Sequence, residues 1–105
     1  MNFSEMTDFE IDAAVAAIMH PGLKITNFAG EAVIWFGNLE TRVVRYCKSW
    51  ADAGPIIERH EINILFNWNE EGLHGATAGF PFKDYEDSNP RRAAMIVFLM
   101  MQEGA

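Results

Sequence analysis

Residues 88–105 read SNPRRAAMIVFLMMQEGA, and nine in a row, Ala93 to Met101, are apolar. Whether this block spans a membrane, fills a core or docks on a partner decides the fold. A bilayer span needs about twenty apolar residues, so nine are too few. The flanks frame a helix instead: Ser88 or Asn89 can cap it, Pro90 suits the first helical position, and Gly104 suits the stop. An advance of about 100° per residue puts Ala93, Ala94, Val97, Met100 and Met101 on one side, flanked by Ile96 and Phe98. Opposite lie Arg91, Arg92, Gln102 and Glu103, with Met95 and Leu99 on the same nominally wet stripe. A helix this apolar needs a second layer, supplied by its own chain, a second copy or a partner, and wheel geometry does not distinguish these. Arg91, Arg92, Met95, Leu99 and Gln102 are therefore the candidate interaction residues.

The rest of the chain supplies a sheet for that helix to cover. Thr7 with Glu10 three residues on has the spacing of a capping box, so a helix starts near Asp8. Met6 and Ile11 stand at staple positions, and Ile11, Ala14, Val15 and Ile18 line one face until Pro21-Gly22 ends the helix. KITNF, AVIWF and TRVVRYC between Lys24 and Cys47 are β-branched and aromatic runs broken by Ala29-Gly30 and Gly37-Asn38, a pattern that reads as an antiparallel meander. Trp35 in that run reads as core. Ser49 can cap a helix carrying Trp50, Ala51, Ile56 and Ile57, with a kink or break at Gly54-Pro55. EINILFNW alternates Ile62, Ile64 and Phe66 against polar residues and reads as a half-buried strand, with a turn at Asn69-Glu70-Glu71-Gly72. HGATAGFPF reads as a loop or an irregular strand. The expected fold is a single α+β domain over residues 1–105, a small antiparallel sheet of three to five strands packed against the N-terminal and C-terminal helices.

Composition narrows the functions. Fifteen carboxylates against eight Lys and Arg give a net charge of −7, which repels nucleic acid and anionic lipid. No nucleic acid and no membrane is the expectation. The acidic runs, Glu5 to Asp12 and Glu70 to Asp87, solvate a face, dock on a basic protein or imitate DNA phosphates. A lone Cys47 without a secretory leader points to a reducing cytoplasm. His20, His60 and His74 are scattered, no HExxH or CxxC pair occurs, and Asp84, Glu86 and Asp87 lack the frame of a calcium loop, so neither metal nor cofactor is expected. Cys47 with a histidine, or Asp84-Glu86-Asp87, remains the alternative of a small hydrolase.

Three stretches, MTDFEIDAAVA, ADAGPIIERHEINI and NPRRAAMIVFLMMQEG, together resemble the NinX-like family of small proteins carried by tailed bacteriophages and prophages. Arg92 departs from that pattern, standing where an apolar residue is natural, and so does Gly54, where an aromatic is expected. The resemblance implies a phage accessory protein in the bacterial host cytoplasm, with no assigned activity and no catalytic residues to carry over. Together with the acidic charge and the Met95/Leu99 stripe, it leads to the expectation of binding to a host or phage protein, as an inhibitor or modulator of a host defence or nucleic-acid-processing factor. A homodimeric structural protein and an acidic DNA mimic are the further alternatives.

Overall fold

The computed structural model describes residues 2–69, 71–79 and 82–103; Glu70, the Phe80-Pro81 pair and Gly104 lie outside the described residues. After a short 3-10 turn at Phe3–Glu5, helix α1 runs over Asp8–Met19. Its capping box is formed in both directions: the Glu10 N–H donates to Thr7 Oγ1 at 3.1 Å, and the Thr7 N–H donates to Glu10 Oε1 at 2.8 Å. Strands β1 (Lys24–Phe28), β2 (Glu31–Trp35) and β3 (Thr41–Val44) follow as the antiparallel meander. The first hairpin closes through Ala29 and Gly30, whose φ angles of 52° and 84° are both left-handed. That is the backbone a two-residue turn needs to match strand twist.

Helix α2 spans Trp50–Arg59 without a break, although Pro55 lies inside it. The expected division is absent. Pro55 has no N–H to donate to the carbonyl of Ala51, and Ala51 is exposed, so water can donate to that acceptor instead. Strands β4 (Asn63–Leu65), β5 (His74–Ala78) and β6 (Lys83–Asp87) then build a second antiparallel sheet with β5 in its centre. Helix α3, Pro90–Glu103, closes the fold. Asn89 is its cap, its Oδ1 accepting from the N–H groups of Arg91 and Arg92 at 2.9 and 3.3 Å.

The α+β architecture holds, with the terminal helices against antiparallel sheet, but six strands divide into two sheets of three. The first sheet packs on α1, the second on α3, and the two helices pack on each other. The order of layers is thus sheet, helix, helix, sheet, in a body of 45 × 28 × 25 Å. The stretch HGATA, expected as loop or irregular strand, is the central strand β5 instead. Ala76 and Ala78 are buried, and α3 lies across the sheet that they help to floor. Small side chains let the helix approach. Gly75 has a similar reason, since a Cβ there would run into the ring of Trp68. Phe66 does not continue the alternation of β4: the strand ends at Leu65, Asn67 turns with φ 51°, and Phe66 is exposed against the edge of His74.

Candidate interaction surface

Helix α3 is enclosed by its own chain from Ala93 to Leu99. Met95 is 0% and Leu99 5% exposed, so the nominally wet stripe is core. The cover is α2. Arg91 lies over the Trp50 ring at the start of α2, 4.9 Å from its centroid, and Gln102 shares a cavity of about 260 Å³ with Arg59 and His60 at its end. The two helices therefore run side by side in the same direction, and Met95 and Leu99 fall between these contacts.

Arg92 is also committed inward. Its Nη1 donates to Asp8 at 2.8 Å, its Nε to Asp87 at 3.2 Å, and its Nη2 to the Met6 carbonyl at 2.6 Å. One planar guanidinium thus ties the N-terminal segment, β6 and α3 together, which a single-point ammonium could not do. Of the five expected interaction residues, Gln102 alone is exposed, and Arg91 is partly covered by its tryptophan.

The candidate chemical groups are occupied in the same way. Cys47 is fully buried, and burial, then the negative charge of Asp12 beside it, pushes its thiol well above the usual range. A thiol held protonated is a poor nucleophile. The Asp12 carboxylate accepts from the Cys47 N–H at 2.9 Å, and burial raises its pKa to about 6 against these hydrogen bonds. Among Asp84, Glu86 and Asp87, Asp87 binds Arg92, and Glu86 accepts from the Trp68 indole at 2.7 Å and from Asn69 at 3.1 Å. Those two bonds hold the Glu86 carboxyl below the usual carboxylate range. The histidines are apart: His20 meets Arg42, His60 lies tilted against the Phe98 ring, and His74 accepts from the Asn67 N–H. Among the described residues no group of three or more His, Cys, Asp or Glu is placed to hold a metal ion. None of their helices is long and apolar enough to cross a membrane.

What remains open is the outer face of the β1-β2-β3 sheet. Register puts Ala32 and Ile34 of β2 on the side of α1, and Thr26, Phe28, Val33, Trp35, Thr41 and Val43 on the other. Trp35 is therefore half-buried on the outward face and not in the core. Its indole N–H donates to Thr26 Oγ1 at 2.9 Å, and the Lys24 ammonium stands 5.6 Å over its ring. Among the described residues no helix covers this face: Phe28 is 71% exposed and Val43 39%. Between them is a shallow cavity of about 300 Å³ floored by Val33. An Arg45–Glu31 ion pair at 3.0 Å closes one end, so an apolar centre has a polar rim. Charge is uneven as well. On this face the Lys24 ammonium and the Arg45 guanidinium stand against the Glu31 carboxylate, a local balance of +1 within a chain of −7.

The sequence of the chain matches a family model described as "Bacteriophage P22, NinX" over residues 2–102. No curated protein matches it.

Proposed function

The chain belongs to the bacteriophage P22 NinX family, and for this phage accessory protein we propose a role in protein binding through the outer face of the β1-β2-β3 sheet, to a host or phage protein with an acidic rim. The observation that carries the reading is the uncovered Phe28–Val33–Trp35–Val43 centre, because contiguous exposed apolar surface ringed by polar groups is what protein interfaces use. Aromatic anchors such as Trp35 and Phe28 are the side chains that dominate binding energy in such patches. The local positive balance selects the partner's charge. A second copy of this chain would bring two basic faces together, whereas an acidic rim is steered to the site.

Phe28→Glu and Val43→Glu place a charge at exposed positions, so the circular dichroism spectrum stays that of the parent. Tagged parent and variant proteins are used for affinity capture from infected host cells. A protein retained by the parent, lost with each variant and released by raised salt supports the reading. Capture that both variants leave unchanged overturns it. So does a single-stranded oligonucleotide that binds the same face in place of a protein.

A further inference from the structure

On the opposite side of β3, independent of the face described above, a cleft of about 320 Å³ opens between the end of α1, β3 and the first turns of α2. Its walls are apolar, with Met19, Val44 and Ile56 among them. We propose that this cleft binds a carboxylate carried on a small apolar body, with the Arg42 guanidinium and the Tyr46 hydroxyl as its donors.

Arg42 pairs with Ile34 in the register and so projects on the α1 side of the sheet, but α1 ends at Met19 and leaves it at the cleft mouth. There the guanidinium is held in place. It donates to His20 Nε2 at 3.2 Å, and it lies over the Phe36 ring, 5.3 Å from its centroid, whose edge His20 also meets. A guanidinium has only donors, so His20 Nε2 is the acceptor in this pair. The other N–H groups of Arg42 have no acceptor among the described residues.

Tyr46 is the second, independent observation. It is 4% exposed and lines the cleft, yet its hydroxyl makes no hydrogen bond among the described residues. The ring is enclosed, but the oxygen is not among the buried atoms left without a partner, so it opens on the cleft, where a ligand can reach it. Burial raises its pKa, so the hydroxyl keeps its proton and is available to donate. Two donors lining one cleft with apolar walls recognise an anion on a hydrocarbon body. Asp52 sets the charge of that anion. It stands on the α2 side of the cleft, engaged with the Arg45 N–H at 2.8 Å, and its negative field disfavours a doubly charged group. A single carboxylate fits; a phosphate dianion does not.

The test is an amide chemical-shift titration of the intact, isotope-labelled protein. The probes are 3-phenylpropionate, 3-phenylpropanamide, phenyl phosphate and an acetylated peptide ending in Phe with a free carboxyl. Saturable shifts at Arg42, Tyr46 and Ala51 are expected with 3-phenylpropionate at millimolar concentration and absent with the amide. Tyr46→Phe, which removes one oxygen, weakens binding by about tenfold, and Arg42→Met by at least about tenfold. Tighter binding of the peptide identifies a protein terminus as the source of the carboxylate, and tighter binding of the free acid a small metabolite. Absence of shifts in the folded parent, shifts unaltered by both substitutions, or phenyl phosphate binding as well as the acid overturns the proposal.

Discussion

Asp12 shows how far one residue's setting departs from its sequence position. It lies in the first half of α1, where the helix dipole alone favours a carboxylate, but it points inward to the Cys47 backbone and burial raises its pKa from 3.8 to about 6. The folded protein thus keeps a proton over a range in which the unfolded chain has lost it. The associated stability is fully present below about pH 3.8, falls as pH rises through about 6, and is gone above it. A shift of this size corresponds to about 3 kcal/mol. Asn at this position can still accept from the Cys47 N–H and cannot ionise. The stability difference between Asp12→Asn and the parent, from urea unfolding, therefore moves in favour of Asn by about 2–3 kcal/mol between about pH 4 and pH 8. A difference that stays constant across that range places the ionised carboxylate in water and refutes the buried assignment.

At the scale of elements, α2 carries a glycine whose successor decides the effect of replacing it. Gly54 lies inside the helix with ordinary helical backbone, and apart from its chain neighbours a Cβ there meets nothing within 4 Å. Gly54→Ala removes backbone freedom from the unfolded chain, but it sets a Cβ against the Cδ of Pro55, which disfavours helical backbone there, so the usual gain of about 0.5–1 kcal/mol is offset, read as a urea midpoint that does not rise. Local signals of this kind are what the sequence shows well. The Thr7/Glu10 box, the Ala29-Gly30 hairpin and the Asn89-Pro90 start are short-range physics, and each element begins or turns where those residues lie. The second sheet was harder to read because β5 lacks the β-branched and aromatic residues that mark a strand. Its Ala76, Ala78 and Gly75 answer to α3 and Trp68, which are distant in sequence. The candidate surface was hidden for a related reason. In AVIW both faces of β2 are apolar, so alternation gives no sign of which side is wet, and only the position of α1 turns Ile34 inward and Trp35 outward. Arg92 looked like surface because its partners, Asp8, Asp87 and the Met6 carbonyl, come from three separate places in the chain.

The molecule as a whole is organised around three helices that run in one direction. Their starts meet where Arg92 binds Asp8 and Arg91 covers Trp50, and their ends meet around the cavity shared by Met19, His60 and Gln102. Aligned dipoles repel, and the charges are placed to offset this: Asp8, Glu10 and Asp52 lie in first turns, and Arg59 in the last turn of α2. Helix α3 is the centre of this arrangement, since it packs on α1, on α2 and on the whole second sheet, while the first sheet packs chiefly on α1. Two outcomes follow from a cavity made in α3. If the layers unfold as one, its cost is felt at the far sheet; if α1 and the first sheet hold by themselves, it is not. The single continuous core, running from Ile34 of β2 through Ile11, Phe98 and Ala76, favours the first. Leu99→Ala removes a nearly enclosed side chain and costs about 2–5 kcal/mol. Native-state hydrogen exchange should then show the slowest amides of β2 and of β5 losing protection by the same free energy. Protection lost in β5 while β2 keeps its own would divide the protein into two folding units and confine the role of α3 to the second sheet.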